Sequence, residues 1–192
     1  MGISTSRKRY DTTMNHENLW APWRAAYLRE LTRKAEGFEE TQFTAGPFLT
    51  EYWSNPQDDR ANHVIYRNEQ GIVLLNRYPY SNGHLLTALG EPRPTLLDYE
   101  PAQRAAFWKL IEISADLIEK TLRPQGINMG INQGRAAGAG LPEHLHAHLV
   151  PRWGGDTNFM SVVGNVRVIP DSLEKMAEAF RKTAEAMRPS NT

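Results

Sequence analysis

From His63 onward the chain alternates short apolar runs with turn residues. HVIYRNE (63–69) and GIVLLNRY (71–78) concentrate Val, Ile, Leu and Tyr as strands do, and Asn68-Glu69-Gln70-Gly71 supplies the turn between them. NRYPYSNG (76–83) is a loop with Pro79 and Gly83, after which HLLTAL (84–89) reads as a third strand. Three consecutive strands on short connections predict an antiparallel meander. Phe107, Leu110, Ile111, Ile113 and Leu117 then recur near helical spacing, marking one long helix that covers a face of the sheet. GINMGINQG (126–134) is a short strand opening into the small-residue loop RAAGAGLPE (135–143), and HLHAHLVPRW (144–153) is the last core strand. Asp171-Ser172-Leu173-Glu174 starts a C-terminal helix running to about Met187. Before His63 the pattern is weaker. Residues 16–35 form an arm with Trp20 and Trp23, and a polar, Gly/Pro-containing stretch follows with a helical turn near Leu49 to Trp53. The expected class is α+β, an antiparallel sheet with one long helix and terminal extensions.

With 192 residues the chain suits one core with appended segments. We expect a polar, disordered leader over 1–15 ending near Met14, an N-terminal arm over 16–60, a core domain over 61–155 and a C-terminal extension over 156–192. Twenty-two basic and twenty-two acidic residues cancel. No global field therefore favours nucleic acid or a membrane surface, and an anionic ligand must be held by local groups. There is no cysteine, which removes disulfides, thiolate metal sites and cysteine nucleophiles. No apolar run approaches the roughly 20 residues that span a bilayer, and the expected location is the cytoplasm.

The chemistry concentrates at residues 143–153, EHLHAHLVPRW, which hold three of the six histidines at alternate positions. In an extended strand His144, His146 and His148 share a face, opposite Leu145, Ala147 and Leu149. Three readings compete. An amphipathic edge strand needs no chemistry, but three alternating copies of a rare residue beside a glycine-rich loop fit it poorly. A metal site would use two of the three with His63 or His84, because the outer pair lies about 13 Å apart, beyond the reach of one ion. Attack on phosphorus uses all three: a neutral imidazole as nucleophile, its other ring N–H held by a carbonyl, and flanking histidines donating to phosphoryl oxygens and the leaving group. The loop from Asn132 to Gly140 would then offer close backbone N–H groups to a phosphate.

The run His144-Leu145-His146-Ala147-His148-Leu149-Val150 resembles the motif of the histidine triad (HIT) family of nucleotide hydrolases and transferases. Asn76-Arg77-Tyr78-Pro79-Tyr80-Ser81-Asn82-Gly83-His84 is similar to the family's upstream segment, and Gly134 to Gly140 with Pro151-Arg152 extend the likeness over roughly residues 60–153. The resemblance implies a HIT fold and a homodimer. It implies that His146 attacks the α-phosphate and carries the nucleotidyl group. His148 would contact the phosphate or orient His146, and His144 and His84 would complete the polar ring and assist the leaving group. Nucleotide contacts would come from Asn76 to the ribose, from Asn132 or Gln133, from the backbone of Gly138, Ala139 and Gly140, and from Arg152. Ile65, Val73 and Leu75 would wall the base. No cofactor is required of the protein, and any magnesium would arrive bound to the substrate.

The chain also departs from the family. Gly46-Pro47-Phe48-Leu49 stands where many members carry zinc-binding cysteines, so no structural zinc is expected. Gly140-Leu141 replaces a Gln-Ser or Gln-Thr pair that touches the phosphates. LWAPWR (19–24) and PRWGGDTNFMSVV (151–163) are similar to the bacterial branch that includes dinucleoside tetraphosphate phosphorylases, in which inorganic phosphate resolves the intermediate. The substrate expected from this likeness is a dinucleoside polyphosphate such as diadenosine tetraphosphate. A hydrolase of nucleoside phosphoramidates is the competing enzyme, and a metal-binding or nucleotide-sensing protein without turnover is the reading from another class.

Overall fold

The structure is a computed structural model that describes residues 47–156 and 169–187. The predicted leader, residues 16–46 of the arm with its two tryptophans, and residues 157–168 and 188–192 lie outside the described residues.

Among the described residues five strands form one antiparallel sheet: β1 (Val64–Arg67), β2 (Gly71–Leu75), β3 (Leu85–Leu89), β4 (Gly126–Ile131) and β5 (His146–Arg152). Helix α1 (Phe48–Ser54) precedes the sheet, α2 (Pro101–Leu122) links β3 to β4, and α3 (Leu173–Ala186) closes the chain. β1 to β3 are the predicted meander. The sheet order is β1-β2-β3-β5-β4, so the chain passes over the place beside β3, lays β4 at the edge, and returns β5 into the gap. That return makes the histidine strand central.

The β1–β2 turn closes because Asn68 Oδ1 accepts the N–H groups of Gln70 at 2.9 Å and Gly71 at 3.0 Å, an Asx turn. Gly71 is required by packing, since a Cβ there would lie 2.2 Å from the Ala88 carbonyl oxygen.

One face of the sheet is covered by α2 and α3. Phe107, Leu110, Leu117 and Ile118 of α2 and Met176, Ala177, Phe180 and Ala184 of α3 pack there on Val73, Leu75, Leu85, Leu145, Ala147 and Leu149. Burial of such apolar side chains, roughly 1.5–3 kcal/mol each, is the main attraction holding the layers together. The fully buried polar pair in this packing is satisfied internally, Thr87 Oγ1 against Ser114 Oγ at 2.7 Å, with Ser114 donating back to the Leu110 carbonyl. α3 starts on Ser172, whose Oγ accepts the Lys175 N–H, and is pinned to β1 by Arg181 Nε donating to the Val64 carbonyl at 3.0 Å. The C-terminal helix therefore backs the sheet on the side away from the histidines.

The other face is smaller. Val64, Ile72, Leu74, Leu86 and Ala88 meet Leu49 and Leu141 there, with Phe48, Tyr52 and Trp53 half-buried beside them. α1 is held on this side by Arg67. Its guanidinium donates to the carbonyls of Tyr52 (2.6 Å) and Trp53 (2.8 Å), the unpaired C-terminal carbonyls of α1, and bonds Asp59.

Candidate active site

Residues directly opposed in an antiparallel ladder share a face. His146 is opposite Ala88, and His148 is opposite Leu86 on one side and Gly130 on the other. Both imidazoles therefore stand on the face away from α2 and α3. Their ring centroids are 5.0 Å apart. Gly130 has no side chain and open space where one would be, which leaves the β4 side of His148 clear.

His144 differs from the sequence expectation. β5 begins at His146; His144 precedes it in a bend closed by its own N–H on the Leu141 carbonyl, and the Leu145 N–H is drawn to the Arg93 carbonyl. Even alternation thus applies to His146 and His148 only. The His144 ring is buried, with Nε2 on the Leu89 carbonyl at 2.7 Å and Nδ1 3.4 Å from Thr50 Oγ1 on α1. A carbonyl can only accept, so Nε2 carries the proton.

The same logic assigns every ring. His146 Nδ1 lies 2.8 Å from the His144 carbonyl, so Nδ1 is protonated and donates, and the lone pair is left on Nε2. His84 receives two donors at Nδ1. The Tyr80 main-chain N–H lies at 3.1 Å, and Asn76 Nδ2 at 3.3 Å. The amide orientation of Asn76 follows from its oxygen, which accepts the Tyr78 N–H at 2.9 Å. His84 Nε2 is consequently the protonated nitrogen, and it donates to His148 Nδ1 at 3.0 Å. The proton of a neutral His148 then sits on Nε2.

Burial favours the neutral form of the rings of His144, His146 and His148. His148 is pushed down from 6.5 to about 4, first by burial and then by the neighbouring His146. His146 is lowered by burial against an opposing contribution from its bond to the His144 carbonyl, and His144 is lowered by burial too. The site thus holds an unprotonated imidazole nitrogen on His146 next to an N–H donor on His148.

Gly83 makes the upstream half possible. Its φ of +77° is in the left-handed region, and a Cβ there would meet Leu122 Cδ1 at 2.3 Å. The turn delivers His84, fully buried, to the start of β3 on the histidine face.

Other predicted residues are placed differently. Ile65, Val73 and Leu75 belong to the core under α2, on the far side of the sheet from His146. They cannot wall a base beside the histidines. The apolar surface on the correct face is Leu74, Leu86, Ala88 and Leu141 with Phe48, Leu49 and Tyr52 of α1. Gln133 Oε1 is taken by the Leu96 N–H at 3.0 Å, and Asn132 Nδ2 lies 3.5 Å from the Gly138 carbonyl, bracing the loop. Of the expected backbone donors, the Gly138 N–H bonds the Arg135 carbonyl and the Ala139 N–H bonds the Gly134 carbonyl; Gly140 has no such bond within the loop. Arg152 stands on the histidine face of β5, but its guanidinium is bound by Asp156 at 2.6 and 2.7 Å and by Asn128 at 2.9 Å. Much of its charge is answered within the protein.

Three contacts escaped the sequence reading. Thr50 reaches His144 across 94 positions of chain, and the Leu89 carbonyl fixes the same ring. Tyr80 lies in the upstream motif, but nothing in its letters says that the ring lies 5.8 Å from His148 and 8° from parallel to it.

The HIT domain family model matches residues 57–155. The AP-4-A phosphorylase of Mycobacterium tuberculosis (strain CDC 1551 / Oshkosh) is 37% identical over 82% of this chain and 78% of its own length. The asymmetrical bis(5'-nucleosyl)-tetraphosphatase of Schizosaccharomyces pombe is 30% identical over 47% of this chain and 50% of its own. Among solved structures, a zinc-bound histidine triad family protein from Mycobacterium smegmatis superposes with a TM-score of 0.58 at 26% identity, covering 74% of this chain and 97% of that one. A histidine strand built into the centre of a five-stranded antiparallel sheet, a family match across that sheet and a 37% identical relative lead to one conclusion: the chain belongs to the HIT family.

Proposed function

We propose that this protein cleaves dinucleoside polyphosphates, such as diadenosine tetraphosphate, by transferring a nucleotidyl group first to His146 and then to an acceptor. The observation that carries the reading is the 2.8 Å bond from His146 Nδ1 to the His144 carbonyl, which presents Nε2 as a lone pair in a buried, neutral ring. In the first step Nε2 forms a bond to the α-phosphorus and the bridging P–O bond breaks. The departing nucleoside polyphosphate takes the electron pair, and the His148 Nε2–H, set by the bond from His84, offers it a hydrogen bond. In the second step an acceptor oxygen attacks the same phosphorus and returns the electron pair to Nε2. With inorganic phosphate as acceptor, diadenosine tetraphosphate gives ATP and ADP; with water it gives ATP and AMP.

The likeness to a phosphorylase over most of both chains favours phosphate. Incubation with diadenosine tetraphosphate and labelled phosphate tests it, the expected result being label in ADP. AMP formed at the same rate with and without phosphate would make the enzyme a hydrolase.

The ring assignments also bear on the metal-binding alternative. His84 and His148 share one proton between facing nitrogens, and His144 and His146 each give a nitrogen to a carbonyl. Of these four rings only His146 keeps an uncommitted lone pair, on Nε2, and one imidazole nitrogen does not make a metal site, so we take magnesium, where present, to travel with the substrate. The nucleotide contacts nearest this chemistry are Asn76 for the ribose, the α1-side apolar surface for the base, and the Gly140 end of the loop for phosphate.

A homodimer is part of the proposal. Among the described residues β4 is an edge strand with one ladder, and Met129 in its middle is 58% exposed, an arrangement suited to strand pairing with a second copy. No helix among the described residues is long and apolar enough to cross a membrane. We place the enzyme in the cytoplasm, with a nucleotide substrate and no nucleic-acid partner, consistent with a net charge of zero.

A further inference from the structure

We propose that Tyr80 is a positioning residue for this reaction: its main-chain N–H and its ring hold the His84–His148 pair in the arrangement that turns the His148 Nε2–H toward the reacting phosphate. The proposal rests on the nucleotidyl-transfer reading above.

Three observations carry it. The Tyr80 N–H donates to His84 Nδ1 at 3.1 Å, which forces the His84 proton onto Nε2, where it bonds His148. The Tyr80 ring lies 4.6 Å from the His84 ring and 5.8 Å from the His148 ring, nearly parallel to the latter at 8°. One side chain therefore covers both partners of a 3.0 Å hydrogen bond. Yet Tyr80 is 50% exposed, while His84 beneath it has no exposure. A half-exposed ring contributes little as core. Its place makes it a cover that keeps water from the His84–His148 bond.

The loop is built to hold that cover. The Asn76 N–H bonds the His84 carbonyl, the His84 N–H bonds the Ser81 carbonyl, and Asn76 Oδ1 takes the Tyr78 N–H, so residues 76–84 close on themselves. Pro79 fixes its own φ directly before Tyr80.

Water admitted to the pair could bond either ring nitrogen of His148. The ring would then be free to change tautomer or take a proton, and either change removes the defined donor. Among the described residues the titratable groups facing His148 are His146 on its own strand, His84 at the start of β3 and Tyr80 on the β2–β3 loop; β4 presents Gly130. None is a carboxylate, so once water enters, the ring should titrate closer to an ordinary imidazole.

The test combines 15N-histidine NMR with pH–rate profiles on Tyr80→Phe, Tyr80→Leu and Tyr80→Ala. Phenylalanine keeps the ring over both imidazoles and should leave the His148 tautomer and its titration as in the wild type. Leucine and alanine should raise the His148 titration by about one pKa unit and carry the acid limb of kcat with it, an effect of about tenfold in that limb. Leucine keeps an apolar side chain in the loop but has no flat ring to span both imidazoles, which keeps the test open if alanine unfolds the loop. Unchanged His148 tautomer and titration in the leucine and alanine variants would overturn the proposal even if activity fell, as would a phenylalanine variant whose His148 titration shifts as far as alanine's. Turnover retained by His146→Ala would sink the nucleotidyl-transfer reading separately, since the NMR readout needs no activity.

Discussion

Lowering the pH should destabilise this protein through His148 in a way that His148→Gln removes. The ring titrates at 6.5 when unfolded and at about 4 when folded, because burial and His146 disfavour its charged form. The unfolded state therefore binds a proton that the folded state refuses. Stability from the neutral ring is fully present above pH 6.5, falls as pH drops, and is lost by about pH 4. Between pH 7 and pH 5 the linkage amounts to about 2 kcal/mol, and to about 1–2 kcal/mol after allowing for partial solvent access to the ring. Carboxylates and the other histidines contribute to the same pH range, so the assay is a difference of differences. Urea unfolding is measured for wild type and His148→Gln at pH 7 and pH 5. Loss of the bond from His84 costs the variant equally at both pH values and cancels. The wild type should lose about 1–2 kcal/mol more than the variant on going to pH 5. Equal losses, or a larger loss in the variant, would refute the neutral His148 on which the site description depends.

Other outcomes follow from the same geometry. Val73→Ala should cost roughly 1–3 kcal/mol of stability and leave KM unchanged, because Val73 faces α2 and not the histidines; a raised KM without destabilisation would return Val73 to the base pocket. Arg67→Ala should destabilise the fold by about 2–3 kcal/mol by releasing the α1 carbonyls and Asp59, measurable by thermal unfolding; an unchanged melting point would remove the clamp. If the protein sediments as the proposed dimer, Met129→Glu should shift it toward monomer, and an unshifted dimer would move the interface away from β4.

Much of the fold could be read along the chain because its determinants are local. The Asn68 to Gly71 turn, the long apolar stripe around Phe107 to Leu117, and the helix start within Asp171 to Glu174 are each set within a few residues, and each is found where expected, with Ser172 as the cap. The choice of face was not local. All five residues of β2 are buried, so no polar alternation marks which side Val73 or Leu74 takes. The pairing of Leu74 with Leu86, and of Leu86 with His148, decides it, and that pairing depends on β5 returning between β3 and β4. His144 is a milder case: three alternate letters suggested one unbroken strand, while the Leu141 carbonyl and Arg93 carbonyl bend the chain ahead of His146. Gln133 in the loop and Arg152 at the end of β5 carry side chains suited to phosphate, yet Leu96 and Asp156 claim them through contacts that residue type alone does not reveal.

The central claim is that His146 Nε2 carries the nucleotidyl group. Wild-type enzyme mixed with diadenosine tetraphosphate, quenched in alkali where a phosphorus–nitrogen bond survives, and digested for mass spectrometry should show one nucleotidyl adduct on His146. His146→Ala should show neither adduct nor turnover. An adduct on His144, His148 or His84, or turnover persisting in His146→Ala, would contradict the account.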